Sequence, residues 1–509
     1  MKREKVLVLD FGSQFSMLIL KRIRSSGVYS ELVPFNIPAS KLKAREIKAI
    51  VLSGGPSFVN DKTAPKPHPD IYRIGKPILG ICYGLQVIAK QFGGKIEHGD
   101  KREYGQASIS LKKDRLWLNI KNHSTVWMSH YDQVTELPED FESIASTKTC
   151  KNAAVKHNKL PIYGLQFHPE VVHTEHGTEI IKNFLRTSDL SFNWLPANFL
   201  RETIDSVKSE VKEENVLCGL SGGVDSTVLA AILHKAIGKR LQCFFIDNGL
   251  LRLNEAEEVM KNVKSLSLPV NLIDARKFFL KNLKGIIDPE EKRKIIGKIF
   301  IRTFERAQKK YTNFKYLAQG TLYPDVVESA SVKGPASVIK SHHNVGGLPE
   351  KFRFKLLEPF RELFKDEVRA LGKELKIPDY ILGRHPFPGP GLAVRIIGDV
   401  NKENIDLLRK ADAIFIDELK SNNLYDYVWQ AFAVLLPVRS VGVMGDSRTY
   451  EQVIALRAVM AEDGMTADWA PLPNEFLGKV ANRIINEIHG INRVVYDLSS
   501  KPPATIEWE

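Results

Sequence analysis

The chain has 509 residues, 43% of them hydrophobic and 26% charged, which is enough for two to four domains with buried cores. The net charge of +13 is diffuse, with no Arg/Lys-rich block or basic stripe interleaved with aromatic residues, and this argues against a nucleic-acid partner. No run approaches the ~18 apolar residues of a membrane span, and the first apolar run is too short for a signal peptide. We therefore expect a cytoplasmic protein without a membrane partner. The four cysteines include no CxxC pair, which argues against a zinc ribbon and against a disulfide framework.

Taken in chain order, the predicted elements form three segments. Residues 1–190 alternate short apolar runs with helical patterns, which predicts an open, mostly parallel sheet covered on both faces. The same rhythm restarts in residues 191–384, where the amphipathic helix FLRETIDSVKSEV precedes the strand NVLCGL. A Pro/Gly cluster, HPFPGPGL, marks the next boundary, and residues 385–509 read as a mixed α+β module. The predicted fold class is α/β, with two doubly wound, mostly parallel-sheet domains followed by a smaller α+β C-terminal domain.

In the first segment, the stretch GICYGLQ (80–86) places Cys82 between a predicted strand and a predicted helix. Flanking glycines allow the tight turn of a nucleophile elbow, and a helix N-terminus favours the reactive thiolate. Taken alone, the pattern is equally compatible with a buried, inert cysteine.

A second motif favours the catalytic interpretation. In QFHPE, His168 and Glu170 are two residues apart on a segment predicted to be extended, so both side chains are expected on one face. Glu170 can then orient the imidazole that takes the proton from Cys82. The Gly-rich stretch VLSGGPS (51–57) supplies backbone N–H groups for an oxyanion hole.

The segments SGGPS, GICYGLQ and GLQFHPEV resemble class I glutamine amidotransferases, which release ammonia from glutamine. The resemblance implies that Cys82 is the nucleophile, His168 the general base and Glu170 the residue that orients it. It also implies that Gly55 and Tyr83 supply the N–H groups of the oxyanion hole.

In the second segment, GLSGGVDST (219–227) joins an apolar strand to a helix, and its glycines and hydroxyls suit a phosphate. It lacks the Gly-Lys-Ser/Thr ending of a Walker A loop. SGGVDS resembles the pyrophosphate loop of N-type ATP pyrophosphatases, which adenylate a carbonyl oxygen. By that resemblance Asp225 holds Mg²⁺, and no tightly bound organic cofactor is expected. The implied ATP-binding residues are Ser221, Gly222, Gly223, Val224, Asp225, Ser226 and Thr227.

Longer segments, among them LDFGSQ, FIDNGLLRLNEAE, LAQGTLYPDVVES, RHPFPGPGLAVR and KPPATIEWE, resemble the glutamine-hydrolysing GMP synthetase family nearly end to end. The resemblance implies glutamine, ATP and xanthosine 5′-monophosphate (XMP) as substrates, with amination at the purine C2 to give GMP. It also implies a homodimer formed by the C-terminal module. The further contacts that it implies are Lys340 to ATP, Asp247 near the adenylate, and Arg293, Lys501, Ile506 and Glu507 to XMP.

Other interpretations remain open from the sequence. The chain could be another glutamine-fed ATP pyrophosphatase that amidates a carboxylate or a different nucleotide, or an enzyme that modifies tRNA. A scaffold that kept the fold without catalysis is a third interpretation, against which the intact motifs speak. Arg302 interrupts the apolar face of a predicted helix, and its role, ligand-related or merely surface, is also open.

Overall fold

A computed structural model describes residues 3–308, 313–330, 354–444, 447–461 and 466–509. The chain divides into two compact units, Met1–Asn198 and Phe199–Glu509. The predicted division into three domains stays a prediction, and its second boundary, at residue 384, falls inside the second unit. Among the described residues, no helix combines the length and the apolar character needed to cross a bilayer.

In the first unit, apolar runs form strands and amphipathic stretches form helices, as their periods predict. Its strands are β1 Lys5–Asp10, β2 Ser30–Pro34, β3 Ile47–Leu52, β4 Ile78–Ile81, β5 Lys95–Ser108, β6 Ser110–Leu111, β7 Thr125–Glu136, β8 Phe141–Ser146, β9 Ala154–His157 and β10 Ile162–Leu165. Its helices are α1 Ser16–Ser25, α2 Ala39–Leu42, α3 Tyr83–Gln91 and α4 Gly177–Leu185.

These strands form a mixed sheet in the order β2-β1-β3-β4-β10-β9-β8-β6, and β5 pairs with β7 separately. The pairs from β2 to β10 are parallel, whereas β9, β8 and β6 add antiparallel neighbours. The central strands are buried, as a parallel sheet covered by helices requires. The carboxyl ends of β4 and β10 therefore lie side by side, and the predicted catalytic motifs begin there.

The second unit contains the remaining elements. Its strands are β11 Asn215–Leu220, β12 Leu241–Asp247, β13 Val270–Asp274, β14 Phe314–Ala318, β15 Lys355–Leu357, β16 Gln430–Met444, β17 Ser447–Met460, β18 Asp468–Trp469 and β19 Ile491–Tyr496. Its helices are α5 Pro196–Val211 (which begins at the unit boundary), α6 Val224–Ile237, α7 Glu255–Ser265, α8 Arg276–Leu283, α9 Pro289–Gln308, α10 Tyr323–Ala330, α11 Lys365–Glu374, α12 Asp379–Leu382, α13 Lys402–Ser421 and α14 Asn474–Glu487.

Two sheets organise the second unit. One is parallel throughout, in the order β13-β12-β11-β14-β15. In the other, β17 pairs antiparallel with β16 and β18 and parallel with β19. The helices α13 and α14 bury apolar residues such as Phe415 and Val480 in the same core as Ile454 of β17. The predicted α/β class with parallel sheets is confirmed.

Candidate active sites

Cys82 lies on a sharp turn between β4 and α3, with φ of +52° and ψ of −106°. A non-glycine residue rarely adopts a positive φ, and such strain is typical of a nucleophile elbow. The turn requires glycine at positions 80 and 84, because α3 packs very closely on β3 and β4. A Cβ on Gly84 would lie 2.4 Å from the carbonyl oxygen of Leu52, and one on Gly80 would lie 2.6 Å from the backbone of Gly84. The sequence therefore places Cys82 at the N-terminus of α3.

The imidazole of His168 is held by Glu170. Its Nδ1 lies 2.7 Å from Glu170 Oε1, and both side chains are almost fully buried. The prediction that they share one face of an extended segment is wrong in its geometry: β10 ends at Leu165, and both residues follow in an irregular turn around Pro169. The turn packs closely on α4, since a Cβ on Gly177 would lie 2.0 Å from the Pro169 carbonyl oxygen. Tertiary packing, and not the period of a strand, brings the two side chains together.

The electrostatic environment of His168 favours its protonated form. Burial lowers the pKa of His168, but the Glu170 carboxylate and a hydrogen bond with Cys82 outweigh burial and raise that pKa well above its usual value. The Cys82 sulfur and the His168 imidazole therefore lie within interaction distance of each other, as a nucleophile and its base require.

The two predicted oxyanion-hole residues, Gly55 and Tyr83, lie in contact with each other. A Cβ on Gly55 would lie 2.8 Å from the Phe11 carbonyl oxygen and 3.3 Å from the Tyr83 ring, so Gly55 lies directly against Tyr83. Tyr83 is the first residue of α3, where backbone N–H groups have no partner in the preceding turn. This arrangement suits two N–H groups that converge on an oxyanion.

Several residues near the sulfur were missed by the sequence-based reasoning. Gln166 Nε2 lies 3.7 Å from Cys82 Sγ, and the Ser129 carbonyl oxygen lies 3.8 Å from the same sulfur. Thr174 Oγ1 donates to the His168 carbonyl oxygen at 2.6 Å. Gln166 begins the QFHPE motif, which is a local signal for it, whereas the Ser129 contact depends on a distant strand and has no local signal in the sequence.

The loop from Ser221 to Gly223 connects β11 to α6, and its hydroxyls are tied to one another. Ser226 Oγ accepts from the Ser221 backbone N–H at 3.2 Å, and Thr227 Oγ1 donates to the Gly223 carbonyl oxygen at 2.8 Å. Gly222 has a φ of +77°, which only glycine adopts at little cost. The arrangement leaves glycine backbone and hydroxyls at a helix N-terminus, which is a suitable site for phosphate.

Asp225, in the first turn of α6, fits the proposed magnesium role. Its Oδ1 is buried and has no hydrogen-bond partner among the described residues, and its Oδ2 lies 3.8 Å from Lys365 Nζ. Burial raises the pKa of Asp225, whereas Lys365 and Arg369 lower it. A buried carboxylate oxygen without a partner, next to the predicted phosphate site, is the kind of donor that Mg²⁺ uses together with substrate phosphates.

The predicted XMP contacts cluster around the C-terminal tail, although each also has a protein partner. Both carboxylate oxygens of Glu507 bond to the fully buried Arg395, at 3.0 and 2.8 Å. Ile506 packs in an apolar cluster with Phe432, and the Arg293 guanidinium donates to the Glu509 carbonyl oxygen.

The remaining predicted residues are placed as follows. The backbone of Lys501 pairs with that of Ala467. Asp247 ends β12, which pairs with β11, the strand that precedes the Ser221–Gly223 loop. Arg302 is exposed on α9. Lys340 lies outside the described residues.

Comparison with known proteins gives the family. A model of class-I glutamine amidotransferases matches residues 7–188, one of NAD synthase matches 197–312, and one of the GMP synthase C-terminal domain matches 417–508. A GMP synthase (glutamine-hydrolysing) of Aquifex aeolicus is 58% identical, with 100% of each chain covered. The chain belongs to the glutamine-hydrolysing GMP synthase family. The enzyme of the same name from Chlorobaculum tepidum is 56% identical, with 99% of each chain covered.

Membership of the GMP synthase family decides between the interpretations left open by the sequence. The match covers the whole chain, including the tail segment that carries the predicted XMP contacts. A tRNA-modifying enzyme and a different glutamine-fed pyrophosphatase are therefore not favoured.

Proposed function

We propose that this chain makes GMP from XMP, with glutamine as the nitrogen source and ATP as the activating substrate. The observation that carries the proposal is that one chain holds both an assembled Cys82–His168–Glu170 site and a phosphate-type loop beginning at Ser221. One site supplies ammonia, and the other activates the oxygen that ammonia replaces.

In the glutaminase half, the Cys82 thiolate attacks the side-chain amide carbon of glutamine. The backbone N–H groups of Gly55 and Tyr83 stabilise the resulting oxyanion. The His168 imidazolium, held by Glu170, gives its proton to the departing ammonia. The neutral imidazole then takes a proton from the water that hydrolyses the thioester.

In the synthetase half, the loop residues and helix α6 bind the β- and γ-phosphates of ATP. Asp225 would hold Mg²⁺, and the ion would supply positive charge to neutralise the pyrophosphate. The C2 oxygen of XMP attacks the α-phosphorus, and pyrophosphate leaves. Ammonia then adds at C2 and AMP departs, because adenylation has turned a poor leaving group into a good one.

For XMP, we propose a site at the C-terminal tail that includes Arg293, Lys501, Ile506 and Glu507. The support is that Arg293, Ile506 and Glu507 all belong to the contacts that hold this tail. Lys340 is proposed to contact the ATP phosphates, and Asp247 to lie near the adenylate.

We also propose that the smaller α+β module at the C-terminal end forms a homodimer. The homodimer proposal is supported by an exposed apolar face on the hairpin of β16 and β17. Four residues there are each more than half exposed: Val438, Val441, Val443 and Tyr450. Monomeric proteins rarely expose a contiguous patch of this kind. Sedimentation of the wild-type chain beside a Val443→Asp variant tests the proposal, which predicts a shift from dimer to monomer.

The function is tested by following XMP consumption by ultraviolet absorbance with glutamine and MgATP. Parallel reactions replace XMP by UTP, deamido-NAD or aspartate. We expect AMP and pyrophosphate to form only with XMP, in amounts equal to the GMP produced. AMP and pyrophosphate formed with another acceptor and not with XMP would contradict the proposal.

Two variants separate the sites. Cys82→Ala is expected to abolish glutamine-dependent GMP synthesis and to leave synthesis with high external ammonia intact, because only the ammonia supply is lost. Asp225→Ala is expected to block GMP synthesis with either nitrogen source, while glutamine hydrolysis continues slowly. The measurement is GMP formation with each nitrogen source, together with glutamate release. Loss of both syntheses in a folded Cys82→Ala variant would contradict the two-site mechanism.

A further inference from the structure

Three side chains of metal-ligand type cluster in the first unit, beside the glutaminase site but outside its proposed chemistry. Glu103, His130 and Cys150 each offer one ligand atom, and these atoms lie within 4.8 Å of one another. His130 and Cys150 are buried, and Glu103 is largely buried. The proposed reaction uses none of the three.

The fold holds the cluster from three separate segments. The register of β5 and β7 pairs Glu103 directly with His130, and His130 Nε2 lies 3.1 Å from Glu103 Oε2. Cys150 ends a tight turn in which its backbone N–H donates to Thr147 Oγ1 at 3.0 Å. Thr147 Oγ1 in turn donates to Glu103 Oε1 at 3.1 Å, so turn and strand are tied together.

An orphaned ring nitrogen gives a second, independent indication of a ligand. The His130 side chain is 4% exposed, and its Nδ1 has no hydrogen-bond partner among the described residues. A buried polar atom without a partner costs about 1–3 kcal/mol, and a bound ion or water is a common explanation. The imidazole therefore has one nitrogen, Nε2, facing the Glu103 carboxylate, and a second, Nδ1, without a partner among the described residues.

The donor set specifies the class of ion. Zinc binds nitrogen, oxygen and sulfur at about 2.0–2.3 Å in a tetrahedron, which puts ligand atoms roughly 3.3–3.8 Å apart. The cluster reaches such spacings by side-chain movements of about an ångström. A thiolate and an imidazole select against Mg²⁺ and Ca²⁺, which prefer oxygen ligands. We propose that Glu103, His130 and Cys150 form a binding site for a divalent cation of the Zn²⁺ type, with one position left for water.

Binding has a chemical consequence at the nucleophile. The Cys150 thiol gives its proton to solvent, and the cation binds the resulting thiolate. The cluster is linked to the nucleophile through β7, because Ser129, the residue before His130, contributes the carbonyl oxygen that lies 3.8 Å from the Cys82 sulfur. A cation here stabilises the Cys82 thiolate and makes it a weaker nucleophile. Glutamine hydrolysis is therefore expected to slow, a consequence that rests on the proposed function.

The binding test uses the full chain with Cys82→Ala, so that the nucleophile cannot bind the metal. Co²⁺ replaces Zn²⁺ as the probe, since a bound thiolate gives a sulfur-to-cobalt absorption band. We expect one equivalent per chain in this background. Adding Cys150→Ala should remove the band, and His130→Gln should weaken binding at least about tenfold.

Matched controls keep the result interpretable. Cys218→Ala removes another buried free thiol, and His157→Gln another buried imidazole, and neither should change Co²⁺ binding. Circular dichroism and the urea midpoint identify variants that fail to fold. Retention of the band in a folded Cys150→Ala variant, or its absence in the Cys82→Ala chain, would overturn the site.

A separate activity measurement tests the consequence in chains with Cys82 intact. Zn²⁺ should slow glutamine-dependent GMP synthesis and spare ammonia-dependent synthesis, and Cys150→Ala should relieve the inhibition. Equal inhibition of wild type and Cys150→Ala would contradict the effect on the nucleophile, whereas absence of GMP synthesis in the metal-free wild type would contradict the proposed function.

Discussion

At the scale of single residues, the proposed glutaminase site depends on one buried charge pair. His168 and Glu170 are both removed from water, and their attraction is strong because little solvent screens it. That attraction outweighs the burial that would otherwise keep the imidazole neutral. Glu170 Oε2 has no hydrogen-bond partner among the described residues, so the imidazole is the main group that holds this carboxylate. The protonated state of His168 therefore depends on the Glu170 carboxylate.

Glu170→Gln is expected to lower the pKa of His168, because burial remains and the attracting charge is lost. Glutamine-dependent activity should fall by up to about 10⁴-fold, the loss typical when the carboxylate that orients a catalytic histidine becomes an amide. Ammonia-dependent GMP synthesis should be unchanged. Steady-state kinetics with both nitrogen sources measure this, with Glu179→Gln, a carboxylate on the surface of α4, as the control. An equal loss in both assays would show that the variant damages more than the glutaminase.

The same pair gives stability a pH dependence of known sign. The pKa of His168 is raised in the folded chain, so its contribution to the free energy of unfolding is fully present below the unfolded value of about 6.5. The contribution is lost as pH rises through the folded pKa. Urea unfolding of wild type and Glu170→Gln, measured from below about pH 6.5 upwards, should show that the two free energies of unfolding come closer together as pH rises.

At the scale of elements, each candidate site is a short turn between a buried strand and a helix. These turns were predictable because their signals are local: an apolar strand, glycines at the turn and a helical pattern after it. The turn that carries His168 was predicted as strand, since Pro169 and the close approach of Gly177 have no period to detect. The contact of Ser129 with the nucleophile likewise depends on how β7 packs, which a single sequence does not encode locally.

Gly222→Ala tests the phosphate loop. At a φ of +77°, a side chain is strained by about 1–2 kcal/mol, and its Cβ would lie 2.6 Å from Val259 Cγ2. We expect lower stability and a raised KM for ATP, with glutamine hydrolysis unaffected. ATP titrations and urea unfolding measure the two effects. Gly219→Ala is the matched control, because a Cβ there meets nothing within 4 Å, and equal effects of the two variants would contradict the argument.

At the scale of the second unit as a whole, buried cations hold the final residues of the chain. Arg395, Arg457 and Lys292 are fully buried, and they pair with Glu507, Asp497 and Glu509 respectively. The motif KPPATIEWE was visible in the sequence, but these partners lie 40 to more than 200 positions away and had no local signal. The apolar face of Phe432 lies 4.0 Å from the Arg395 guanidinium and adds to its stabilisation.

Glu507→Gln is expected to lower the free energy of unfolding by about 3 kcal/mol, because it leaves the Arg395 charge buried without its partner. Combining it with Arg395→Met should recover part of that loss. Urea unfolding without substrates measures both. Glu214→Gln breaks the exposed pair with Lys315 and should cost at most about 1 kcal/mol, and a similar cost at both positions would contradict the argument.

The accessibility of the four sulfur atoms has a practical consequence. Cys82 is 7% exposed, whereas Cys150, Cys218 and Cys243 are at most 1% exposed. A small alkylating reagent added to the native protein will therefore react first with the sulfur raised on its turn. That sulfur is also the proposed point of attack on glutamine. The moles of label incorporated per mole of chain should therefore report the fraction of a preparation that is competent for glutamine hydrolysis, without a turnover assay.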